Sequence, residues 1–373
     1  MWNYMKTPRR YSLKNIILMS LYIYLNSIKL IPCFVSVLTP PVEIHSRSET
    51  SLDCLPAKYL KLLPFQPDIG GDFPTVEGGK PRIPHIIHQT YKTEMIPDIY
   101  WDNIKSIVKY HPTWAYYFWS DESARKLIAE RHPYLLNTYD GYDEGIKRGD
   151  ALRYVILYEF GGVYLDMDFE ALRPFDRATT KYASIITPEV FEHSAFLFDM
   201  EYLMTNCIMF SRPNHPFFKY LIETLPEAAH FTHVLNATGP LFVHRQFKIY
   251  NNITVGDGTR LKSDCSSNSP YFYKGVLAED HEDAVYVPHT QYFNDFIDFC
   301  CGHRQKFNQI CKIKTKPIVH ARACAEMEQR GMDRKDIRYI FTKHKWSHAY
   351  HHVKTLSKVK NIHIQELVPN VIL

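Results

Sequence analysis

Two glycines, three apolar residues and two spaced carboxylates follow one another in Gly161-Gly162-Val163-Tyr164-Leu165-Asp166-Met167-Asp168. No other stretch restricts the fold as much. The glycine pair ends whatever helix comes before it. Val163, Tyr164 and Leu165 then read as a short buried strand, so Asp166 and Asp168 fall where that strand leaves its sheet. Residues two apart on a strand point to the same face. Two anions held side by side repel each other unless a cation or hydrogen-bond donors stand between them. The arrangement suits a hard divalent metal carrying a phosphate-bearing substrate. A solvated strand end or a structural Ca²⁺ site are the plainer readings.

Strands and helices alternate around this run. Residues 83–88 form a first strand, with Pro84 tolerable at its start. A helix over 97–110 ends at His111-Pro112, and 114–119 is an aromatic strand. Ser120 is a good N-cap, and Asp121 and Glu122 favour the dipole of a helix that stops before Pro133. A further helix covers 145–160, and 202–210, 216–225 and 284–288 read as strand, helix and strand. This order predicts an α/β domain with a mostly parallel sheet. Its ligand site should lie beyond the carboxyl ends of the strands. The 373 residues, 45% of them hydrophobic, supply the core of one large domain. A net charge of +4 is modest for this length and argues against electrostatically driven nucleic-acid binding, which usually shows a basic stripe or cluster.

The ends of the chain differ from this middle. Residues 1–15 carry Lys6, Arg9, Arg10 and Lys14, and 16–38 are apolar apart from Asn26 and Lys29. They read as a cytoplasmic tail and a transmembrane signal anchor that leaves the rest of the chain luminal, in the Golgi. The alternative is a signal peptide cleaved near residue 30, with secretion or an ER lumen as the address. Residues 39–82, rich in Pro and Gly, read as a stem, 83–350 as the catalytic domain, and 351–373 as a C-terminal tail. Asn236-Ala237-Thr238 and Asn252-Ile253-Thr254 fit the N-glycosylation pattern. Cys265, Cys300, Cys301, Cys311 and Cys324 crowd the last third and read as disulfides in an oxidising lumen. Zinc held by Cys300, Cys301 and Cys311 with His303 and His320 is the alternative, although the spacing fits no regular zinc pattern.

In the helix over 145–160, Asp150 and Arg153 stand three apart and so share a face. Spacing alone makes them a surface ion pair, worth at most about 1 kcal/mol. The order Arg148-Gly149-Asp150-Ala151-Leu152-Arg153-Tyr154, then Gly161-Gly162 and the Asp166-Met167-Asp168 end, resembles the sugar-binding DxD glycosyltransferases, family 32. That family includes inositol phosphoceramide mannosyltransferases and initiating α-1,6-mannosyltransferases. The resemblance starts at Ile83-Pro84-His85-Ile86-Ile87-His88-Gln89-Thr90-Tyr91 and is dense to about Pro174. It continues more thinly through Asn206, Thr238-Gly239-Pro240 and His344-Lys345-Trp346-Ser347-His348.

The resemblance implies a GT-A-like nucleotide-sugar-binding domain that transfers a hexose with retention. Mannose from GDP-mannose is the favoured donor, and UDP-galactose or UDP-N-acetylglucosamine the alternative. A glycan or glycolipid would be the acceptor. Asp166 and Asp168 would hold Mn²⁺ or Mg²⁺ on the donor diphosphate, completed by His344 or His348. Asp150 and Arg153 would hold hydroxyls of the transferred sugar. His88, Gln89, Thr90 and Tyr91 would line the nucleotide pocket, with Trp346 nearby. Gly149 stands where relatives carry a side chain. On the residues alone, Asn206 is either a substrate contact or a buried hydrogen-bonding group, and His344 and His348 are equally readable as helix-surface histidines. The rivals from other classes are a catalytically silent luminal protein that binds nucleotide sugars and a Ca²⁺-dependent carbohydrate-binding module.

Overall fold

Aliphatic and aromatic residues fill both faces of the central strands, so the sheet must be covered by helices on both sides. The structure, a computed structural model, describes residues 69–75, 80–200, 202–251, 262–263, 270–271, 281–294, 296–298, 302–331, 338–347 and 359–373. The chain runs through β1 (Ile86–Thr90), β2 (Met95–Pro97), α1 (Trp101–Tyr110), β3 (Ala115–Trp119) and α2 (Asp121–Arg131). Next come α3 (Gly145–Phe160), β4 (Gly162–Leu165), β5 (Phe169–Ala171), β6 (Ser184–Pro188), α4 (Phe191–Phe198) and β7 (Met204–Ser211). Then follow α5 (Pro216–Ala228), α6 (Pro240–Tyr250), α7 (His303–Lys312), α8 (Ile318–Arg330), β8 (Thr342–His344), β9 (Asn361–His363) and β10 (Val371–Ile372).

Six strands form the central sheet in the order β10-β3-β1-β4-β7-β6. The pairings β10–β3, β3–β1 and β1–β4 are parallel, while β4–β7 and β7–β6 are antiparallel. Five of the six strands therefore run the same way, as a mostly parallel sheet requires, and β7, entering from the opposite end between β4 and β6, makes the sheet mixed. Alternation sends Val163 and Leu165 of β4 into one core and Tyr164 into the other. The first core includes Ile104 and Ile107 of α1, and the second Leu152, Val155 and Ile156 of α3 with Leu221 of α5. Ser120 caps α2 in a reciprocal capping box with Ser123.

Gly161 and Gly162 do more than stop α3. Their φ values are 66° and 96°, and an added Cβ would stand 2.6 Å from Pro213 N or from Ile86 O respectively. Only residues without a Cβ allow the chain to turn there and still lay β4 against β1.

The C-terminal residues are not a tail. β9 pairs antiparallel with β2, and β10 adds an edge strand beside β3. The end of the stem also belongs to the core, since Phe73 is fully buried, edge-on to Tyr182, Tyr292 and Phe341. The strand expected over 284–288 reduces to a single bridge between Tyr286 and Ile185. Cys311 and Cys324 are disulfide-bonded. This removes Cys311 from the zinc alternative, and His303 and His320 pair instead with Asp298 and Asp199. Cys265, Cys300 and Cys301 lie outside the described residues, as do the expected anchor over 16–38, Asn252 and His348. Among the described residues no helix is long and apolar enough to cross a membrane.

Candidate active site

The strand that brings the aspartates to the sheet edge ends at Leu165. Asp166 and Asp168 therefore lie in the turn between β4 and β5, and strand alternation does not set their directions. Buried groups pin the turn instead. The amide of Asp166 donates to Cys207 O at 2.9 Å, Gln89 Nε2 donates to Asp166 O at 3.2 Å, and Asn103 Nδ2 donates to Met167 O at 3.1 Å. The amide of Lys345 donates to Asp168 O at 2.9 Å. β8 pairs antiparallel with β5, setting His344 opposite Phe169. That pairing carries a histidine from the far end of the sequence onto the turn.

Each aspartate meets a different cation. Asp168 Oδ2 lies 3.2 Å from His344 Nε2 and accepts from the Ser347 amide at 3.0 Å. Burial alone would push the Asp168 carboxyl up, but the His344 charge and hydrogen bonds hold it below the usual value. His344 moves the opposite way: burial lowers it, and Asp168 more than offsets this and raises it. Asp166 Oδ1 accepts from Tyr164 Oη at 2.6 Å and lies 3.3 Å from Arg153. Burial and the charge of Asp168 raise its carboxyl against the pull of Arg153. That burial is partial, since 31% of the Asp166 side chain stays exposed.

Beneath the turn, Asp150 and Arg153 are both buried. They form an ion pair at 3.0 Å, and the Arg153 guanidinium lies 4.6 Å over the Tyr164 ring. Arg153 also donates to Asn206 O at 2.7 Å. Asp150 Oδ1 accepts from Asn206 Nδ2 at 3.0 Å, and Oδ2 accepts from Thr238 Oγ1 at 2.8 Å. Burial raises the Asp150 carboxyl, and Arg153 and these donors oppose it. Asn206 thus serves as a buried positioning group for the pair. Asp150 Oδ2 keeps acceptor capacity for one more hydroxyl, and Arg153 is the element that reaches from Asp150 to the aspartate turn.

The first-strand segment divides. His88 and Gln89 are fully buried. His88 Nε2 is 2.8 Å from Gly161 O, its Nδ1 accepts from Trp119 Nε1 at 3.2 Å, and Gln89 holds the turn carbonyls while accepting from Tyr116 Oη. With their polar atoms so engaged, they stand behind the site and cannot line a pocket. The Thr90 hydroxyl donates to Trp119 O at 2.8 Å. Tyr91 is half-buried, edge-on to Tyr100, whose phenol is pushed up by burial and then by Asp168.

Trp346 stacks on His344 with ring centres 3.8 Å apart, and its Nε1 donates to Phe296 O at 2.6 Å. Its φ of 51° is a left-handed conformation that bulky residues rarely adopt. His344 is buried in a strand, so it is not a helix-surface histidine. Asn236 is half-buried on a helical turn.

Tyr164, Asn103 and Thr238 are site residues that the sequence does not reveal. Thr238 belonged to a glycosylation triplet and to the Thr238-Gly239-Pro240 match, and neither shows what its hydroxyl holds. Gly149 has open space where a Cβ would stand, so the missing side chain there disturbs nothing nearby.

Comparison with known proteins agrees with this geometry. The family described as "glycosyltransferase sugar-binding region containing DXD motif" matches residues 97–185, a span that includes Asp150, Arg153, Asp166 and Asp168. The chain is 35% identical over 204 residues to mannosyl phosphorylinositol ceramide synthase SUR1 of Saccharomyces cerevisiae, covering 51% of this chain and 49% of that protein. It is 37% identical over 168 residues to inositol phosphoceramide mannosyltransferase 3 of Schizosaccharomyces pombe, covering 43% and 44%. The chain thus spans about half the length of these two relatives. An uncharacterized glycosyltransferase of Acanthamoeba polyphaga mimivirus is 30% identical over 233 residues, 58% of this chain and 88% of that protein. The pinned aspartate turn, the Arg153 bridge beneath it and these matches lead to one conclusion: the chain belongs to the glycosyltransferases whose sugar-binding region contains a DXD motif.

Proposed function

We propose that the protein transfers a hexose, with retention, from a nucleotide sugar to a glycolipid, with mannose from GDP-mannose as the donor and an inositol-phosphate-bearing ceramide as the acceptor. The observation that carries the reading is the aspartate turn: two partly exposed carboxylates on a rigid backbone, backed by a buried arginine. The names of the relatives support the mannose donor and the lipid acceptor. The apolar N-terminal segment and the two glycosylation triplets support a Golgi membrane anchor with the domain in the lumen.

A Mn²⁺ or Mg²⁺ ion fits the residues present. Asp166 and Asp168 offer hard oxygen ligands, and the burial and, after it, the repulsion from Asp168 that raise Asp166 are what a dication would offset. No group of three or more His, Cys, Asp or Glu suited to a metal occurs among the described residues. Diphosphate oxygens and water would therefore supply the rest of the shell, as small hard cations favour. His344 bonds to Asp168 and would act as an outer-shell partner that orients this ligand. When bound, the ion would stabilise the negative charge that grows on the leaving diphosphate. Arg153 would add fixed positive charge beneath the same turn, and the free acceptor capacity of Asp150 Oδ2 would orient a hydroxyl of the sugar.

The test is donor turnover, with hydrolysis of nucleotide sugars measured with and without Mn²⁺. Asp168→Ala should lower the rate on the order of 10²-fold or more, as loss of a main charge-stabilising element does. Unchanged activity in that variant would sink the metal role. Turnover of UDP-galactose or UDP-N-acetylglucosamine in place of GDP-mannose would overturn the donor. Tight nucleotide-sugar binding without turnover, with any acceptor, would mark a silent binding protein.

A further inference from the structure

The stretch of chain that forms the corner between α7 and α8 carries a single sign of charge. Residues 302–325 contain six Lys or Arg and no Asp or Glu. At the corner, Ile313 and Ile318 are 52% and 36% exposed. Lys306, Lys312 and Lys314 of the same stretch are exposed, with no ion-pair partner among the described residues. The corner is also stiff. The Cys311–Cys324 disulfide ties the end of α7 to α8, and Lys316 Nζ donates to Cys311 O at 2.7 Å. Phe307, Val319, Ala323 and Met327 already fill the small core beneath, so the two isoleucines are held outside it.

A solvated face ordinarily mixes both signs and shows few large apolar residues. Apolar side chains ringed by lysine suit an interface between water and anionic headgroups. We propose that this corner docks on an anionic membrane surface, with Ile313 and Ile318 entering the interfacial layer and Lys306, Lys312 and Lys314 meeting lipid phosphates. The place of the corner gives the contact a use. Ile310, Cys311 and Cys324 pack on the same cluster as Trp346, and Trp346 stacks on His344, the partner of Asp168. Docking would hold the aspartate turn near the plane of a lipid acceptor. That use rests on the glycolipid reading, whereas the docking itself does not.

The test places the full chain with vesicles of phosphatidylcholine, with or without phosphatidylinositol, made with brominated acyl chains. Ile313→Trp adds a reporter whose fluorescence bromine quenches only at the bilayer. Its emission, less that of the native chain, should be quenched on phosphatidylinositol vesicles and recover in high salt, because surface charges are screened. Each lysine near an anionic surface contributes about a fivefold partition factor, so adding Lys306→Gln, Lys312→Gln and Lys314→Gln should weaken the quenching interaction roughly 10²-fold. Donor hydrolysis should be unchanged in that triple variant, which separates loss of docking from loss of the active site. Quenching that is absent on anionic vesicles would overturn the proposal. So would a triple variant that keeps full quenching.

Discussion

Thr238→Val tests whether the buried network beneath the aspartate turn is structural or only looks so because a glycosylation triplet passes through it. The substitution keeps the shape of the side chain and removes the hydroxyl that donates to Asp150 Oδ2 at 2.8 Å. Thr238 is fully buried and the valine methyl fills the place of its hydroxyl, so no water takes over that donation. A hydrogen bond to a buried charged group contributes about 1.5–3 kcal/mol. Arg153 and Asn206 still serve Oδ1, which places the expected loss at about 2 kcal/mol. For a domain of this size that is a fall in Tm on the order of 4 °C. The loss should depend on pH with a definite sign. Burial raises the Asp150 carboxyl above its unfolded value, and removing a donor raises it further. The cost of the ionised form is therefore full at neutral pH, and the gap between variant and parent closes as pH falls through the raised folded value, where the group protonates. Thermal melts of the full chain by near-UV circular dichroism, at neutral and acidic pH, would read this. Thr238→Ser should melt with the parent because it keeps the hydroxyl, and Asn236→Gln should too because it removes only the glycosylation triplet. Equal losses in Thr238→Val and Asn236→Gln, with Thr238→Ser harmless, would refute the argument and assign the hydroxyl to glycosylation.

Two glycines of neighbouring elements should respond in opposite ways. Gly162→Ala forces a Cβ within 2.6 Å of Ile86 O at a positive φ and should cost about 3 kcal/mol, whereas Gly149→Ala meets nothing within 4 Å and should stabilise α3 by about 0.5–1 kcal/mol; urea titrations of both would show it. The His344–Asp168 pair should confer a pH window on stability in metal-free buffer. His344 is raised, so its contribution is full below its unfolded value of about 6.5 and is lost as pH rises through the raised folded value. Asp168 is lowered, so its contribution is present above about 3.9 and is lost as pH falls through the lowered value. His344→Gln should flatten the alkaline limb of a Tm-against-pH profile, and a limb that survives the change would show that another group causes it.

Local chemistry made much of the chain legible. The capped helix α2, the stop of α3 and the buried strand β4 follow from residues close in sequence, because caps, glycine turns and short apolar runs act over a few positions. The Asp150–Arg153 pair was visible for the same reason, since a spacing of three is a neighbour relation on any helix. The direction of β7 was not legible. An eight-residue buried strand satisfies its sheet in either orientation, and the connection outside it decides. His88 and Gln89 misled because polar residues ending a strand look like ligands until their buried partners are known.

By itself, then, the sequence determined that an α/β sheet ends in two spaced carboxylates, preceded by an acid and an arginine on one helix face. The tertiary structure alone decided what those groups do for one another. It set the aspartates in a turn held by Gln89 and Asn103, used Thr238 and Asn206 to hold Asp150, and returned β8 to place His344 on Asp168. The physical reason is distance along the chain. A buried charge must find its donors wherever the fold brings them, and most of these come from dozens of residues or more away.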